Sequence, residues 1–163
     1  MALNADVPSS SFDMYLRAAA IIEQAKQQGI TADAVRESLA VLGEQQYLTR
    51  HDYRGEPAYA HFAFTVQGFA HYGRKYLPNY ATLVDRVAAH LVNAGDDESI
   101  VVARALGQSH MLIKQVLRWL GEQKLIKVEA LGSPTSDAGI VLKMFEISGE
   151  LKRAVRSGQG TPI

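Results

Sequence analysis

Cysteine is absent from this chain of 163 residues. Disulfide bridges, thiolate metal sites and cysteine nucleophiles are therefore excluded. An excess of one charge is also missing, because 17 basic and 17 acidic residues cancel to a formal net charge of zero. A protein that coats nucleic acid by neutralising phosphates needs a basic excess, so that class is disfavoured, whereas a protein with one local basic patch is not.

Long apolar runs and secretion signals are missing as well. No stretch approaches the roughly 18 apolar residues that a membrane helix needs. The first ten residues contain neither the basic nor the apolar part of a secretory signal. We therefore expect a cytoplasmic protein with no membrane span.

Motifs that carry chemistry are equally scarce. The sequence contains no phosphate loop, dinucleotide-binding glycine pattern, serine-hydrolase elbow or zinc-protease motif. His51, His61 and His71 are spaced by ten residues and fall on a predicted wing, strand and helix start. A metal site needs convergent ligands, usually with carboxylate or thiolate help at shorter spacing, so metal binding is disfavoured. We expect neither an enzyme nor a cofactor.

The most informative feature of the sequence is an internal repeat. The phrase Leu42–Gln45 (LGEQ) returns as Leu120–Gln123, 78 positions later. At the same offset Gly29 meets Gly107, and the apolar positions downstream match in type. These further pairs are Val35 with Ile113, Leu39 with Leu117, and Tyr47-Leu48 with Leu125-Ile126. Matches at one fixed offset predict two copies of one structural unit.

The ends of the two copies match less simply. After a loop three residues longer in the second copy, Phe64–Gly68 meets Phe145–Gly149. Both segments alternate apolar and polar residues before a glycine, which predicts a half-buried strand that ends in a turn. Leu77-Pro78-Asn79 combines a helix stop with a new N-cap, so the copies are expected to divide there.

The second copy shows its elements best. Apolar spacing and cap residues predict a helix from Asn79 to about Asn93, a short helix from Asp97 to Leu106, and a third helix from Ser109 to about Gln123. Ile113, Val116, Leu117 and Leu120 form one apolar stripe on that third helix. Two strands, at 125–129 and 140–147, are predicted to follow.

Three helices followed by a two-stranded hairpin make this sequence resemble the winged-helix superfamily, from about Phe12 to about Val155. The resemblance implies an α+β, mostly α fold with two tandem winged-helix domains, each a three-helix core with a β-hairpin wing. We expect domains at 1–77 and 78–156 and a flexible tail at 157–163. The first copy departs from the pattern, because Phe12 to Gln28 must supply two helices in little length or one continuous helix in their place.

In winged helices that bind DNA, the second helix of the helix–turn–helix enters the major groove and the wing meets the backbone. With the Ile113 stripe inward, a projection at about 100° per residue turns one polar face outward. Arg and Gln suit base edges, Lys suits phosphate, and the helix start can receive a phosphate. The predicted DNA contacts of this helix are Gln108, Ser109, His110, Met111, Lys114, Gln115 and Arg118.

The equivalent helix of the first copy predicts the opposite behaviour. Its outward face contains Asp33, Glu37 and Glu44 against Arg36, and these carboxylates would repel phosphates. The wing of the first copy is more basic, so Arg50 and Arg54 are predicted to contact a DNA backbone. The polar residues on the Ser109–Gln123 helix of the second copy are also typical of an ordinary solvent-exposed face, and this alternative stays open.

Apolar and aromatic residues leave further alternatives. Leu112 and Trp119 share a flank beside the apolar stripe, where they either pack on a neighbouring element or form a protein interface. Aromatic residues are concentrated between Tyr53 and Tyr80, which favours a core or an interface between the copies over a stacking platform for single strands.

The leading hypothesis is a DNA-binding protein, a transcription regulator or an accessory factor of a DNA-handling system, whose partner is double-stranded DNA. The alternative is a tandem winged-helix adaptor that mediates protein–protein interaction in a larger complex. Zero net charge and an acidic first helix favour the adaptor. Low net charge also permits a homodimer.

Overall fold

The computed structural model of the protein describes residues 16–51, 61–131 and 140–161. The described elements, in chain order, are β1 (Leu16–Arg17), α1 (Ala18–Lys26), α2 (Ala32–Glu44), β2 (Leu48–His51), β3 (His61–Phe64), α3 (Val66–Tyr76), α4 (Tyr80–Ala94), α5 (Ser99–Leu106), α6 (His110–Glu122), β4 (Ile126–Leu131), β5 (Val141–Ile147) and α7 (Gly149–Ser157). Helices contribute most of these residues, which confirms a mostly helical α+β fold.

The chain divides into two compact units between Phe69 and Ala70. We call the described residues 16–69 the first unit and the described residues 70–161 the second unit. The division lies inside α3, which begins in the first unit and ends in the second.

The first unit packs two helices on a small antiparallel sheet. Its strand order is β1-β3-β2, and β3 pairs with both neighbours. Thr31 begins α2, because its hydroxyl accepts a hydrogen bond from the Ala34 backbone amide at 3.3 Å. The buried core is small and consists of Ala25, Val35, Leu39, Leu48 and Phe62.

The second unit packs four helices on the β4–β5 hairpin. The helix α4 lies against α5, α6 and α7 and supplies much of a larger core. Buried residues of α4 and α6 include Leu83, Val84, Val87, Leu91, Ile113, Val116, Leu117 and Leu120. Glu98, just before α5, forms an isolated antiparallel bridge with Lys143, so β5 lies between that bridge and β4. This is the order that β1, β3 and β2 have in the first unit.

The repeat appears in the backbone as well as in the sequence. The helices α2 and α6 both have 13 residues and lie 78 positions apart. Before each, a glycine adopts positive φ, 76° at Gly29 and 63° at Gly107. After each, a residue other than glycine does the same, at Gln46 (φ 60°) and Lys124 (φ 58°). The two units therefore enter and leave this helix through the same turns.

The predicted match of Phe64–Gly68 with Phe145–Gly149 was wrong by two residues. The Thr65 backbone amide donates to the Tyr47 carbonyl at 3.1 Å, and the Ser148 amide donates to the Leu125 carbonyl at 2.9 Å. Tyr47 and Leu125 are already equivalent, so Thr65 corresponds to Ser148, and the loop is five residues longer in the second unit. Both residues cap a helix through their hydroxyl groups. Gly68 accordingly lies inside α3 rather than in a turn.

Two boundary predictions meet different outcomes. The chain does break between α3 and α4 at Leu77–Asn79, but Asn79 adopts a left-handed conformation and makes no side-chain cap. Of the expected tail, Ser157 ends α7, and Thr161 is buried with its amide donating to Asp85 Oδ1 at 2.6 Å. The departure of the first copy was expected from Phe12 to Gln28, and of this segment the residues before 16 lie outside the described part of the chain. From 16 to 28 the chain forms a short strand and one helix.

Candidate nucleic-acid interface

The start of α6 is held by its own side chains and those of its neighbours. The exposed Ser109 caps the helix by accepting a hydrogen bond from the Leu112 amide at 3.2 Å. The Gln108 amide is also engaged, because it donates to the Ala103 carbonyl at 2.9 Å. The backbone amides of Gln108 and Leu112 are therefore already bonded within the protein.

His110 is turned toward the protein rather than toward solvent. Its Nε2 lies 2.8 Å from Ser99 Oγ, and that oxygen accepts a hydrogen bond from the Leu142 amide at 2.9 Å. Since Ser99 already accepts from Leu142, its hydroxyl proton is available to an unprotonated His110 Nε2. Burial, and then the nearby Lys114 cation, lower the pKa of His110 below 6.5. His110 and Ser99 therefore join α5, α6 and β5, while the contact of His110 with DNA stays a prediction.

This serine–histidine pair is not a nucleophilic centre. The Ser99 side chain is fully buried, so a substrate carbonyl has no access to its oxygen. The described residues also contain no group of three or more histidine, aspartate or glutamate residues placed to hold a metal ion.

The predicted polar face of α6 is narrower than expected. Met111, Lys114 and Arg118 are half-buried and together form one flank of the helix. Gln115 was predicted to face outward, but its side chain is only 3% exposed. The projection assumed that a single stripe is buried, whereas α6 is packed by α4, α5 and both strands of the hairpin. The buried arc is therefore wide enough to include Gln115.

Trp119 lies four residues after Gln115, on the same side of that arc. It is 5% exposed, and the Arg74 guanidinium carbon lies 5.6 Å from the centre of its ring, within the range of a cation–π contact. Leu112 is half-buried. Trp119 thus packs within its own chain, and it does not form the exposed apolar patch that was one of the two alternatives.

The equivalent helix α2 is open to solvent. Its outward residues Asp33, Arg36, Glu37, Ala40 and Glu44 are all exposed, as predicted. Arg36 pairs with Asp33 at 2.6 Å, so its charge is partly neutralised on the helix surface. The outward charge of α2 is therefore acidic, whereas α6 contains no acidic residue before Glu122.

The wings are described in part. Arg50 is exposed on β2, while Arg54 lies outside the described residues. Arg50 also lines a cavity of about 570 Å³ in the first unit, between α1, α2 and the sheet. In the second unit Lys127 is exposed, and Lys143 forms an ion pair with Asp97 at 3.4 Å.

Charge is distributed unevenly between the units. The described part of the first unit contains four basic and four acidic residues. The described part of the second unit contains twelve basic and eight acidic residues. Although the whole chain has zero net charge, the described part of the second unit therefore has an excess of basic residues. The predicted DNA contacts of α6 lie in that unit.

Sequence reasoning did not single out Arg74 and Lys75. Both are exposed at the end of α3, and Arg74 lies against the α6 residue Trp119. A usable signal was present, because no aspartate or glutamate occurs between Glu56 and Asp85.

Comparisons with known protein families, with curated proteins and with solved structures found no match to this chain. Function must therefore be argued from the geometry alone. None of the described helices combines the length and the apolar character that crossing a bilayer requires.

Proposed function

We propose that this chain is a DNA-binding protein made of two winged-helix domains, and that it serves as a transcription regulator or an accessory factor of a DNA-handling system. The element order supports the fold proposal, since each unit places a short strand or bridge, two helices and a two-stranded hairpin in succession. The second unit adds α4 before them. A helix before the helix–turn–helix and a wing after it is the order of winged-helix proteins.

The observation that carries the DNA proposal is the flank of α6. Lys114 and Arg118 lie one helical turn apart on it, and the nearest acidic residue on the same helix is Glu122 at its end. Arginine can donate two parallel hydrogen bonds to guanine, and lysine neutralises phosphate. Met111 and the capped turn at Ser109 complete the surface that would face the groove.

The test is the binding of a fluorescently labelled random duplex, followed by anisotropy from about 50 to 200 mM salt. We expect weak binding at low salt that is lost steeply as salt rises. The variant Lys114→Ala with Arg118→Ala should lower affinity and flatten the salt dependence. Arg36→Ala, which removes a charge at the position of α2 equivalent to Lys114, should leave both unchanged. No binding by the unchanged protein at 50 mM salt would refute the proposal.

The adaptor is a second candidate, and one observation favours it. The cavity of the first unit is lined by the apolar residues Ile22, Leu39 and Phe62 and by small residues of both helices. A surface of this kind suits a protein partner better than a phosphate backbone. Co-purification with a protein that survives high salt and nuclease treatment, together with absent duplex binding, would favour the adaptor over the DNA-binding protein.

A further inference from the structure

Two long stretches of the sequence contain no aspartate or glutamate. The first covers 57–84, and the second covers 99–121. Acidic residues make up 17 of 163 positions in the chain, so the basic residues of these two stretches have no carboxylate within their own stretch. The second stretch includes Lys114 and Arg118, and the first includes Arg74 and Lys75.

The fold brings these two stretches together. Arg74 lies with its guanidinium carbon 5.6 Å from the centre of the Trp119 ring, and Trp119 follows Arg118 directly on α6. Tyr80, at the start of α4, also feels the Arg74 cation, which partly offsets the rise in its pKa caused by burial. The end of α3 is therefore held beside the Trp119 edge of α6 by contacts within the second unit.

The end of α3 is exposed and combines cations with aromatic rings. Arg74 and Lys75 are both exposed, and the Tyr76 side chain is 51% exposed. The Lys75 ammonium lies 5.2 Å from the centre of the Tyr76 ring, and the Tyr72 and Tyr76 rings are 5.3 Å apart. Basic residues in the last turn also suit the helix dipole. The dipole does not account for a large exposed tyrosine or for the missing carboxylates.

We infer that the end of α3 is a second phosphate-contacting element, and that Arg74 and Lys75 extend the duplex-binding surface of α6 along the DNA backbone. This inference rests on the proposed DNA-binding function. The contacts are with phosphate and sugar, so they add affinity and orientation without reading base sequence. The hydroxyl group of the exposed Tyr76 is a suitable donor to a phosphate oxygen.

The experiment compares the unchanged chain with the variant Arg74→Gln and Lys75→Gln in the same salt series. Each lost phosphate contact lowers the slope of log affinity against log salt by about 0.9, so the double variant should lower it by about 1.8. The loss should be equal for duplexes of different sequence. The matched control is Lys152→Gln with Arg153→Gln, which removes two exposed charges of α7 in the same unit.

The outcomes separate this inference from the function on which it depends. If the unchanged protein does not bind duplex DNA at 50 mM salt, both proposals are refuted. If it binds and the α6 variant is impaired while the α3 variant keeps the full slope, only the contribution of α3 is refuted. An equal loss in the α7 control would show an effect of overall charge and would also refute it.

Trp119 supplies an independent readout, because it is the only tryptophan in the chain. Duplex binding beside it should change its emission in the unchanged protein and in the α7 control. The α3 variant should show a smaller change at equal saturation. Thermal unfolding followed by circular dichroism checks that each variant is folded, and an unchanged emission response in a folded α3 variant would contradict the inference.

Discussion

The helices α2 and α6 occupy the same place in the repeat, yet their side chains face different surroundings. Both are capped by a hydroxyl group and leave through a residue of positive φ. On α2, Glu37, Ser38 and Val41 are exposed, whereas their equivalents on α6, Gln115, Val116 and Trp119, are buried. Each of these α6 residues lies 78 positions after its equivalent on α2.

The difference follows from what packs on each helix. In the second unit α4 lies against α6, and the covered positions are apolar or neutral. The residues of the first copy that would match α4 precede residue 16 and lie outside the described part of the chain. The comparison shows that the backbone of this repeat is fixed by its caps and turns, while the neighbours of each helix decide which faces accept charge.

The largest expected effect concerns Gly68, which lies in the first turn of α3 just after β3. A Cβ atom added at Gly68 would lie 2.0 Å from the Tyr47 carbonyl oxygen, which is a backbone atom and cannot rotate away. The equivalent position in the second unit is the buried Leu151. We expect Gly68→Ala to lower the free energy of unfolding of the first unit by roughly 3 kcal/mol. Urea denaturation followed by circular dichroism measures this loss.

Trp119 lies in the second unit, so its emission reports the unfolding of that unit in the same titration. The stability of the two units is thus compared within one sample. We expect the midpoint reported by Trp119 to shift less than the midpoint reported by circular dichroism. A Gly68→Ala variant as stable as the parent by both signals would show that α3 is not held against Tyr47.

The next effect compares the helix caps of the two junctions. The Thr65 hydroxyl accepts from the Gly68 amide and also donates to the Gln46 carbonyl at 2.7 Å, whereas the Ser148 hydroxyl accepts only from the Leu151 amide among the bonds described. Thr65→Ala should cost about 2 kcal/mol and Ser148→Ala about 1 kcal/mol. Chemical denaturation measures the loss of stability in both variants. A larger loss for Ser148→Ala than for Thr65→Ala would contradict this prediction.

A smaller effect separates the paired glycines of α2 and α6. A Cβ added at Gly43 meets nothing within 4 Å, whereas at Gly121 it would lie 3.1 Å from Val128 Cγ2. Alanine is favoured over glycine inside a helix, so Gly43→Ala should stabilise the protein by roughly 0.5–1 kcal/mol. Gly121→Ala should gain less or lose stability. Differential scanning calorimetry compares the two, and equal gains would mean that α6 and β4 are less tightly packed than described.

The smallest effect is the pH dependence at His110. Its folded pKa lies below 6.5, so the unfolded chain binds a proton more readily and stability falls as the pH decreases below 6.5. Above that pH the contribution is fully present. His110→Asn should reduce the dependence between pH 6.5 and the lower folded pKa. Thermal midpoints across this range measure this pH dependence, and an unchanged profile in His110→Asn would contradict the burial of His110 beside Lys114.

The local elements were predictable because their signals are local. The matched glycines Gly29 and Gly107, the helix start at Ser109 and the apolar stripe of α6 are all short-range patterns, and the structure forms α2 and α6 at those positions. The two strands of the second unit were also expected within one or two residues of their ends.

Tertiary packing was harder to predict. The burial of Gln115 depends on the number of elements around α6, which a single helix projection does not contain. The downstream register depends on a backbone hydrogen bond between Thr65 and Tyr47, which the alternation around Phe64 did not reveal. The contact of Arg74 with Trp119 joins residues far apart in the sequence. DNA binding itself stays a prediction, since it depends on a partner.

The anchoring of Thr161 has a practical consequence for anyone who labels or immobilises this protein. Its amide is bonded to Asp85 on α4, and the residue is 7% exposed. A fluorophore or affinity tag attached directly after this position would begin at a packed site, and a short spacer would pull against α4. A flexible Gly/Ser spacer of about ten residues, which spans roughly 15–20 Å on average, lets the attachment leave the surface without disturbing that contact.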